Sequence, residues 1–447
     1  MSHYKRYPVY KDSEVEWLGA VPEHWAVKRL RFTATLNPAI RLDLLDNQDR
    51  DVSFLPMEAI GEDGSLNFEQ TRPVRDVRNG YSYFEDGDVA FAKVTPCFEN
   101  GKGALMQGLL DSAGFGTTEL TVLRPNTKIM DARYLNYVVQ SPRFRALGVG
   151  AMTGAGGLKR VPDEFTRNFP TALPDRIEQE SIAGHLDRET ARIDALVEKK
   201  TQFIELLREK RQALITHAVT KGLDPNVKMK NSGVEWLGDV PEHWGVLQLR
   251  QTARLESGHT PSRSKPEYWV NCTVPWFTLA DVWQVRSGEQ KYVSETSEKV
   301  SKLGLENSSA RLLPAGSVFL SRTASVGFTG ILEVDMATSQ DFAVWTCSRD
   351  LFNEYLYYVL LGMKPDFDRL MMGSTHKTIY MPDIEAIRIT RPPMEEQKEI
   401  VHALGGQLVR FKSIIDRTEC SIVLLKERRS ALITAAVTGQ IDLREAT

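Results

Sequence analysis

The sequence predicts an α+β protein: two tandem α+β domains, each followed by a long α-helix, with the two helices pairing as an antiparallel coiled coil of pseudo-two-fold symmetry. Three observations carry this. A ten-residue phrase is written twice, as EWLGAVPEHW from Glu16 to Trp25 and as EWLGDVPEHW from Glu235 to Trp244. It lies within a longer match, in which 14 of 19 residues agree between Ser13–Arg31 and Ser232–Arg250 at an offset of 219. Near the far end of each half, LLREKRQALITHAVT (Leu206–Thr220) meets LLKERRSALITAAVT (Leu424–Thr438), with 11 of 15 identical at an offset of 218. Sparser anchors lie between: Tyr134-Leu135 with Tyr355-Leu356, Pro162-Asp163 with Pro382-Asp383, and Pro174 and Gln179 with Pro392 and Gln397. One unit of about 220 residues is therefore duplicated, a period too long for a solenoid.

Within each copy the first part mixes short strand-like runs with turns. DVAFAKV (Asp88–Val94) and TELTVLRP (Thr118–Pro125) read as strands in copy one, SVFLSRT (Ser317–Thr323) and FAVWTC (Phe342–Cys347) in copy two. Short helices are expected at Ala132–Gln140 and Asn353–Gly362. The last part of each copy changes period. From Ile182 the apolar residues Leu186, Ile193, Leu196, Val197, Phe203, Leu207, Leu214 and Ala218 recur at helical spacing among charges, and Ile400, Leu404, Leu408, Phe411, Ile415, Ile422, Leu425, Leu432 and Ala436 do so in copy two. Each run follows a proline and an acidic start, and the two end at Gly222 and Gly439.

Such helices would each be roughly 60 Å long. A solitary helix exposing that stripe is unstable in water, so each helix needs a partner, and the other copy supplies one. Gly405-Gly406 predicts fraying or a bend near the start of the second helix. The expected boundaries are 1–174 for the first domain, 175–222 for its helix, 223–392 for the second domain, and 393–447 for the second helix and tail.

Composition excludes several classes. No apolar run approaches the roughly 20 residues of a membrane helix, and the N-terminus lacks a signal-peptide core, so a cytoplasmic protein without membrane contact is expected. Cys97, Cys272, Cys347 and Cys420 are scattered, with no C-x-x-C pair, and read as reduced thiols rather than metal ligands. The net charge of -3 does not announce nucleic acid, although it averages over faces. RPPM (Arg391–Met394) is no methyltransferase D/N-P-P-Y/F motif, and PCFENGK (Pro96–Lys102) lacks the first glycine of a Walker loop. His24 and His243 recur without a repeated ligand constellation, and are expected to support the neighbouring tryptophans.

The doubled S-x-V-E-W-L-G-x-V-P-E-H-W opening, the P-x-x-x-x-Q start of each long helix and its A-L-I-T-x-A-V-T end together resemble the specificity subunit of type I restriction-modification systems, over nearly the whole chain. SGHTPSRSKPEYW (Ser257–Trp269) and PWFTLADV (Pro275–Val282) also resemble the start of that family's target-recognition domain. Copy one has no T-P-S-R in its corresponding stretch, Leu36–Ile60, which implies a different recognition subclass. The resemblance implies a non-catalytic subunit. Each domain reads half of a split, asymmetric target in double-stranded DNA, and the helices hold the spacing. It further implies two modification subunits forming an adenine-N6 methyltransferase that uses S-adenosylmethionine, and two restriction subunits using ATP and Mg, with no cofactor on this chain.

Base edges and phosphates are read by Arg, Lys, Asn, Gln, Ser and Thr side chains, so polar-basic loops between strands are the candidate contacts. In copy one these are Lys93, Thr95, Asn100 and Lys102, with Lys159 and Arg160. In copy two they are Thr260, Ser262 and Arg263, then Arg322, Thr323 and Ser325, then Thr375, His376 and Lys377. The near-identical helix ends suggest subunit docking through Leu207, Arg211 and Leu214, and through Leu425, Arg429 and Leu432. The alternative is a duplicated ligand-binding or hydrolytic protein whose helices only pair its halves. Trp17, Trp25, Trp236, Trp244, Trp269 and Trp276 would then suit sugars, with Glu99 and Asp281 as acid/base groups.

Overall fold

Why the same phrases recur becomes clear where they meet in the computed structural model, which describes residues 4–371 and 378–444. The chain forms two compact units that are not sequential halves: residues 1–201 with 420–447, and residues 202–419. Each unit holds one α+β domain, the start of that domain's own long helix, and the end of the other long helix.

The first long helix occupies Arg176–Lys221 and the second Met394–Val437. Asp175 caps the first, its carboxylate accepting the Glu178 N–H at 2.9 Å. The glutamine of P-x-x-x-x-Q is fully buried in both copies and fully bonded. Gln179 accepts the Asp131 N–H and donates to the carbonyls of Ile129 and Pro174; Gln397 accepts the Phe352 N–H and donates to those of Asp350 and Pro392. One amide thus ties each helix start to the segment before the short domain helix.

In the first unit Ile182 and Leu186 share a core with Leu432, Ile433 and Ala436, and Asp194 pairs with Arg429 at 3.0 Å. In the second, Ile215, Ala218 and Val219 share a core with Ile400 and Leu404, and Arg208 pairs with Glu419 at 3.3 Å. Later residues of one helix meet earlier residues of the other, so the pairing is antiparallel. Ile193, Ile204 and Leu207 of the first helix are buried along this stretch, whereas Leu196 and Phe203, expected on the same stripe, are 41% and 45% exposed and lie off the buried line. The expected fraying at Gly405-Gly406 does not occur, because the second helix runs through both glycines unbroken. Leu404 beside them is buried and Leu408 is packed on the same core, which holds the backbone against the weak propensity of glycine.

The repeated phrase forms the joint between the helices and the domain. Trp25 is buried against the turn that ends the second long helix, and Trp244 against the turn that ends the first. Both turns need glycine. Gly439 and Gly222 sit at φ +72° and +77°, and a Cβ on them would lie 3.1 and 3.2 Å from the respective indole. His24 and His243 reach the third residue of their own copy's helix, Glu178 and Glu396, each at 2.9 Å. The histidines therefore do stand beside the buried tryptophans, fixed by a carboxylate.

Above this joint, the first domain carries two four-stranded sheets. Their strand orders are Thr71–Pro73, Asp51–Leu55, Ala113–Gly116, Ser82–Glu85 and Ala34–Leu36, Leu120–Pro125, Val89–Ala92, Gly103–Leu105. The second domain has a five-stranded sheet (Ala253–Ser257, Phe342–Cys347, Val318–Ser321, Thr329–Leu332, Tyr292–Val293) and a three-stranded one (Glu298–Val300, Val274–Phe277, Ala337–Thr338). The expected helices at Ala132–Gln140 and Asn353–Gly362 are present, packed on these sheets. In each, the tyrosine of the Tyr-Leu anchor points at the end of the other long helix: Tyr134 donates to the Val437 carbonyl at 3.3 Å and Tyr355 to that of Val219 at 3.3 Å. Among the described residues no helix is long and apolar enough to cross a membrane.

Candidate nucleic-acid interface

The two copy-one loops expected from sequence are brought together. Lys93–Lys102 leaves the strand Val89–Ala92 and winds into a tight turn anchored by buried Phe98. The hairpin Thr153–Ala155/Leu158–Arg160 lies against it. Thr95 is the clasp: its hydroxyl donates to the Gly157 carbonyl and accepts the Lys159 N–H, both at 3.0 Å, while its own N–H donates to the Lys159 carbonyl. The hairpin is exposed throughout, and Lys159 and Asn100 present polar ends to solvent.

Two candidates here are instead engaged on the protein itself. Lys102 donates its ammonium to the Met57 carbonyl at 2.9 Å, so it cross-links the loop to the short turn Met57–Ala59. Arg160 makes a two-pronged pair with Glu119, at 2.9 and 2.7 Å, which uses its fork on the protein itself. Arg160 holds the Glu119 carboxyl below its ordinary range, and Lys93 adds to the effect. A depressed carboxylate contributes its pairing above the usual carboxylate range and loses it as pH falls through the lowered value, so the pair is intact at neutral pH.

In copy two, Thr260, Arg322 and Thr323 converge on Gln340-Asp341. The Thr260 hydroxyl donates to the Gln340 side-chain oxygen at 2.7 Å and Arg322 Nε to the Gln340 carbonyl at 3.1 Å. Asp341 accepts from the hydroxyls of Thr323 and Ser339. Ser325 lies in the same loop as Arg322. Arg263 is engaged differently, paired with Glu298 at 2.8 Å and stacked 4.6 Å over the Trp269 ring, with the Ser262 and Ser264 hydroxyls bonded to each other nearby. Thr375, His376 and Lys377 lie outside the described residues.

The two groups share one backbone frame. The Lys93 N–H donates to the Glu119 carbonyl at 2.8 Å, and the Lys93 carbonyl accepts the Val161 N–H at 2.8 Å. Arg322 does the same, with the Asp341 carbonyl at 2.9 Å and the Ile379 N–H at 2.8 Å. Isolated bridges continue both, Val94 with Arg160 and Thr323 with Thr378. Each copy thus holds one cation between an acidic turn and a returning strand. Sequence reasoning misses Glu119, Gln340 and Asp341 because it seeks donors alone; the signal available is an acidic or amide residue just before each long strand, at Leu120 and Phe342.

The docking candidates are largely buried or engaged within the chain. Leu207 and Leu432 are 8% and 2% exposed, and Leu214 packs on the core of the second unit. Arg211 donates to the Gly288 carbonyl at 2.7 Å and Arg429 pairs with Asp194. These positions repeat because each helix end packs into a domain. Of each repeated Leu-Leu pair the outward member is the first: Leu206 is 62% and Leu424 58% exposed, whereas Leu425 is half-buried.

Several of the groups suggested for sugar or acid/base chemistry are spent on structure. Trp25, Trp244 and Trp276 are buried, and Asp281, 1% exposed, accepts from Thr278 and the Ser297 N–H. Cys347 has its thiol pushed up to about 12 by burial, and among the described residues no group of three His, Cys, Asp or Glu could hold a metal ion.

Residues 241–410 match the family described as Type I restriction modification DNA specificity domain. The Type I restriction enzyme EcoAI specificity subunit of Escherichia coli is 42% identical over 180 residues, 40% of this chain and 30% of that protein. The matched stretch thus spans under a third of that relative's length. The Putative type I restriction enzyme MjaX specificity subunit of Methanocaldococcus jannaschii is 22% identical over 97% of both chains. A chain in the structure reported as "Structural basis underlying complex assembly and conformational transition of the type I R-M system" matches 93% of this chain and 98% of its own, at 18% identity and a TM-score of 0.75, and so shares the fold. Residues 241–410 are thus similar to a type I restriction modification DNA specificity domain, and the chain over nearly its whole length is similar to a type I restriction specificity subunit.

Proposed function

We propose that this chain is the non-catalytic, DNA-reading subunit of a type I restriction-modification system, acting in the cytoplasm on a target of two unlike half-sites. The observation that carries the reading is the duplicated frame. Backbone bonds around Lys93 and Arg322 coincide, while nearly every exposed side chain around them differs. A scaffold kept constant under a surface that varies suits two readers of different sequence, since side chains at base edges specify and the backbone only presents them.

Chemistry in this reading belongs to partners. Two modification subunits supply adenine-N6 methylation from S-adenosylmethionine, and two restriction subunits use ATP and Mg, none of these being held by this chain. The test is single-molecule sequencing for N6-methyladenine in cells expressing the chain with its neighbouring modification subunit, against cells lacking the chain. Methylation that depends on it, at two short blocks around a fixed gap, is the expected result. Methylation indifferent to it, by a partner shown to be folded and active, would sink the reading.

Docking of the modification subunits is assigned to the outward faces that include Leu206 and Leu424, since an exposed leucine in equivalent places twice over suits two copies of one partner. Leu206→Glu with Leu424→Glu is expected to leave the isolated chain folded, as both side chains face solvent, and to abolish the complex on size exclusion with mass detection. An intact complex of unchanged stoichiometry would move the docking face elsewhere.

A further inference from the structure

The duplication supplies its own control for surface charge. Two antiparallel strand pairs close the domains against the helices: Ala26–Arg29 with Pro170–Leu173, and Gly245–Gln248 with Arg388–Arg391. Arg29 faces Pro170 in the first and Gln248 faces Arg388 in the second, which makes these positions equivalent. The turn that follows repeats as well. The Leu30 N–H donates to the Phe169 carbonyl at 3.0 Å and the Leu249 N–H to that of Ile387 at 2.9 Å, and Leu30, Thr33, Leu249 and Thr252 are all buried.

On this common frame the exposed residues diverge in one direction. Lys28, Arg29, Phe32 and Arg167 in the first unit stand where the second has Leu247, Gln248, Gln251 and Glu385, while Arg31 has its counterpart in Arg250. Four cations therefore face one cation and one carboxylate. All four, and the 61%-exposed Phe32 with Arg31 lying 5.1 Å over its ring, are solvent-facing. Arg29 bonds only the neutral Asn168, at 3.2 Å, and no ion pair involves the other three among the described residues. Asp163 and Glu164 stand one turn from Arg167 on the same short helix without pairing with it. The second copy shows that the fold does not need these charges, and four unneutralised cations held together repel one another.

We propose that Lys28, Arg29, Arg31 and Arg167, with Phe32, form a second contact for duplex DNA, gripping the phosphates of one strand beyond the bases read at the Lys93 frame. The inference rests on the DNA-reading function proposed above. The strand Ala34–Leu36 that follows Phe32 pairs with Leu120–Pro125, with Ala34 opposite Pro125, the end remote from Glu119. The patch thus lies about 20 Å along the strand from the frame, the axial rise of about six base pairs. Phosphates carry no sequence information, so the patch adds affinity and not specificity, and adds it on the first half-site's side only.

The test borrows the second copy's residues at Lys28 and Arg29 and removes the charge at Arg167. Lys28→Leu and Arg29→Gln, with Arg167→Gln, are made in the full chain, and binding to a fluorescent duplex of about 40 base pairs of arbitrary sequence is measured across a salt series. The slope of log affinity against log salt is expected to fall by about 2 to 3, near 0.9 for each phosphate no longer neutralised. The reciprocal variant, Leu247→Lys with Gln248→Arg, is expected to steepen it. Thermal unfolding superimposable on the parent shows that the first variant is folded, as copy two leads us to expect. An unchanged slope in a folded variant overturns the patch alone. If the parent chain itself shows no salt-sensitive duplex binding, the DNA-reading function falls and the patch with it. If the slope holds but the modification subunit no longer co-purifies, the patch is a protein-docking surface and the proposal is wrong.

Discussion

Replacing Glu178 by alanine is expected to destabilise the first unit by about 3 kcal/mol, while the equivalent Glu396→Ala costs the second unit about 1 kcal/mol. The two glutamates occupy the same place in the repeat but carry different loads. Glu178, 5% exposed, accepts from the Tyr7 hydroxyl at 2.8 Å, His24 Nε2 at 2.9 Å and Trp25 Nε1 at 3.2 Å. Its removal strands two buried donors, and a buried donor without an acceptor incurs its full desolvation cost. Burial and the bond to Glu178 push the Tyr7 phenol well above its ordinary range, so Tyr7 remains a donor at any working pH. Among the described residues Glu396 accepts only from His243, whose side chain is 47% exposed, and the Trp244 indole N–H has no partner already. Because a chain of two units need not unfold in one step, the measurement is hydrogen exchange resolved by peptide, read separately for residues 1–201 with 420–447 and for residues 202–419. Equal loss of protection from the two substitutions would show that the buried donors find other acceptors.

That asymmetry lies beyond what the sequence discloses, and the reason is physical. The phrase E-H-W repeats because Trp25 and Trp244 fill the same joint, and the joint's partners, Gly439 and Gly222, are legible as helix terminators. Local signals of this kind are plain in the sequence: the proline and acidic helix starts, the strand patterns at Val318–Ser321 and Phe342–Cys347, the short helix at Ala132–Gln140. Bonds between residues far apart in sequence leave no such period. Nothing around Tyr7 indicates that it meets Glu178, and nothing around Arg160 or Lys102 indicates that Glu119 and the Met57 carbonyl occupy their charges. Gly405-Gly406 misleads in the other direction, since propensity is a weak local term and the packing of Leu404 overrides it. The leucines expected at a docking surface turn inward for a related reason. Identity between copies marks what both helices need, and at Leu207 and Leu432 that need is burial, Leu432 in the core of the other copy's domain.

Arg322→Ala is expected to weaken binding of the cognate duplex by the assembled complex about 5- to 150-fold, the 1–3 kcal/mol of one well-placed base contact, and to relax sequence preference in one half-site only. Lys93→Ala should act on the other half-site. The frame survives both substitutions because its bonds are backbone bonds: the Arg322 N–H and carbonyl remain on Asp341 and Ile379, and only the hydrogen bond from Nε to the Gln340 carbonyl disappears. Binding would be measured against duplexes in which either half-site is scrambled. If the frames act independently, the affinity of the double variant falls by the product of the single effects, since distant sites add in free energy. A scrambled second half-site should also cost the Arg322→Ala complex less than it costs the parent, since part of that recognition is already gone. Arg322→Ala that binds the cognate duplex as the parent does, with the second half-site still discriminated, would place base reading on other residues of the same loops. A weakening spread evenly over both half-sites would instead make Arg322 a phosphate contact, and would show up as a shallower salt dependence rather than a change in sequence preference.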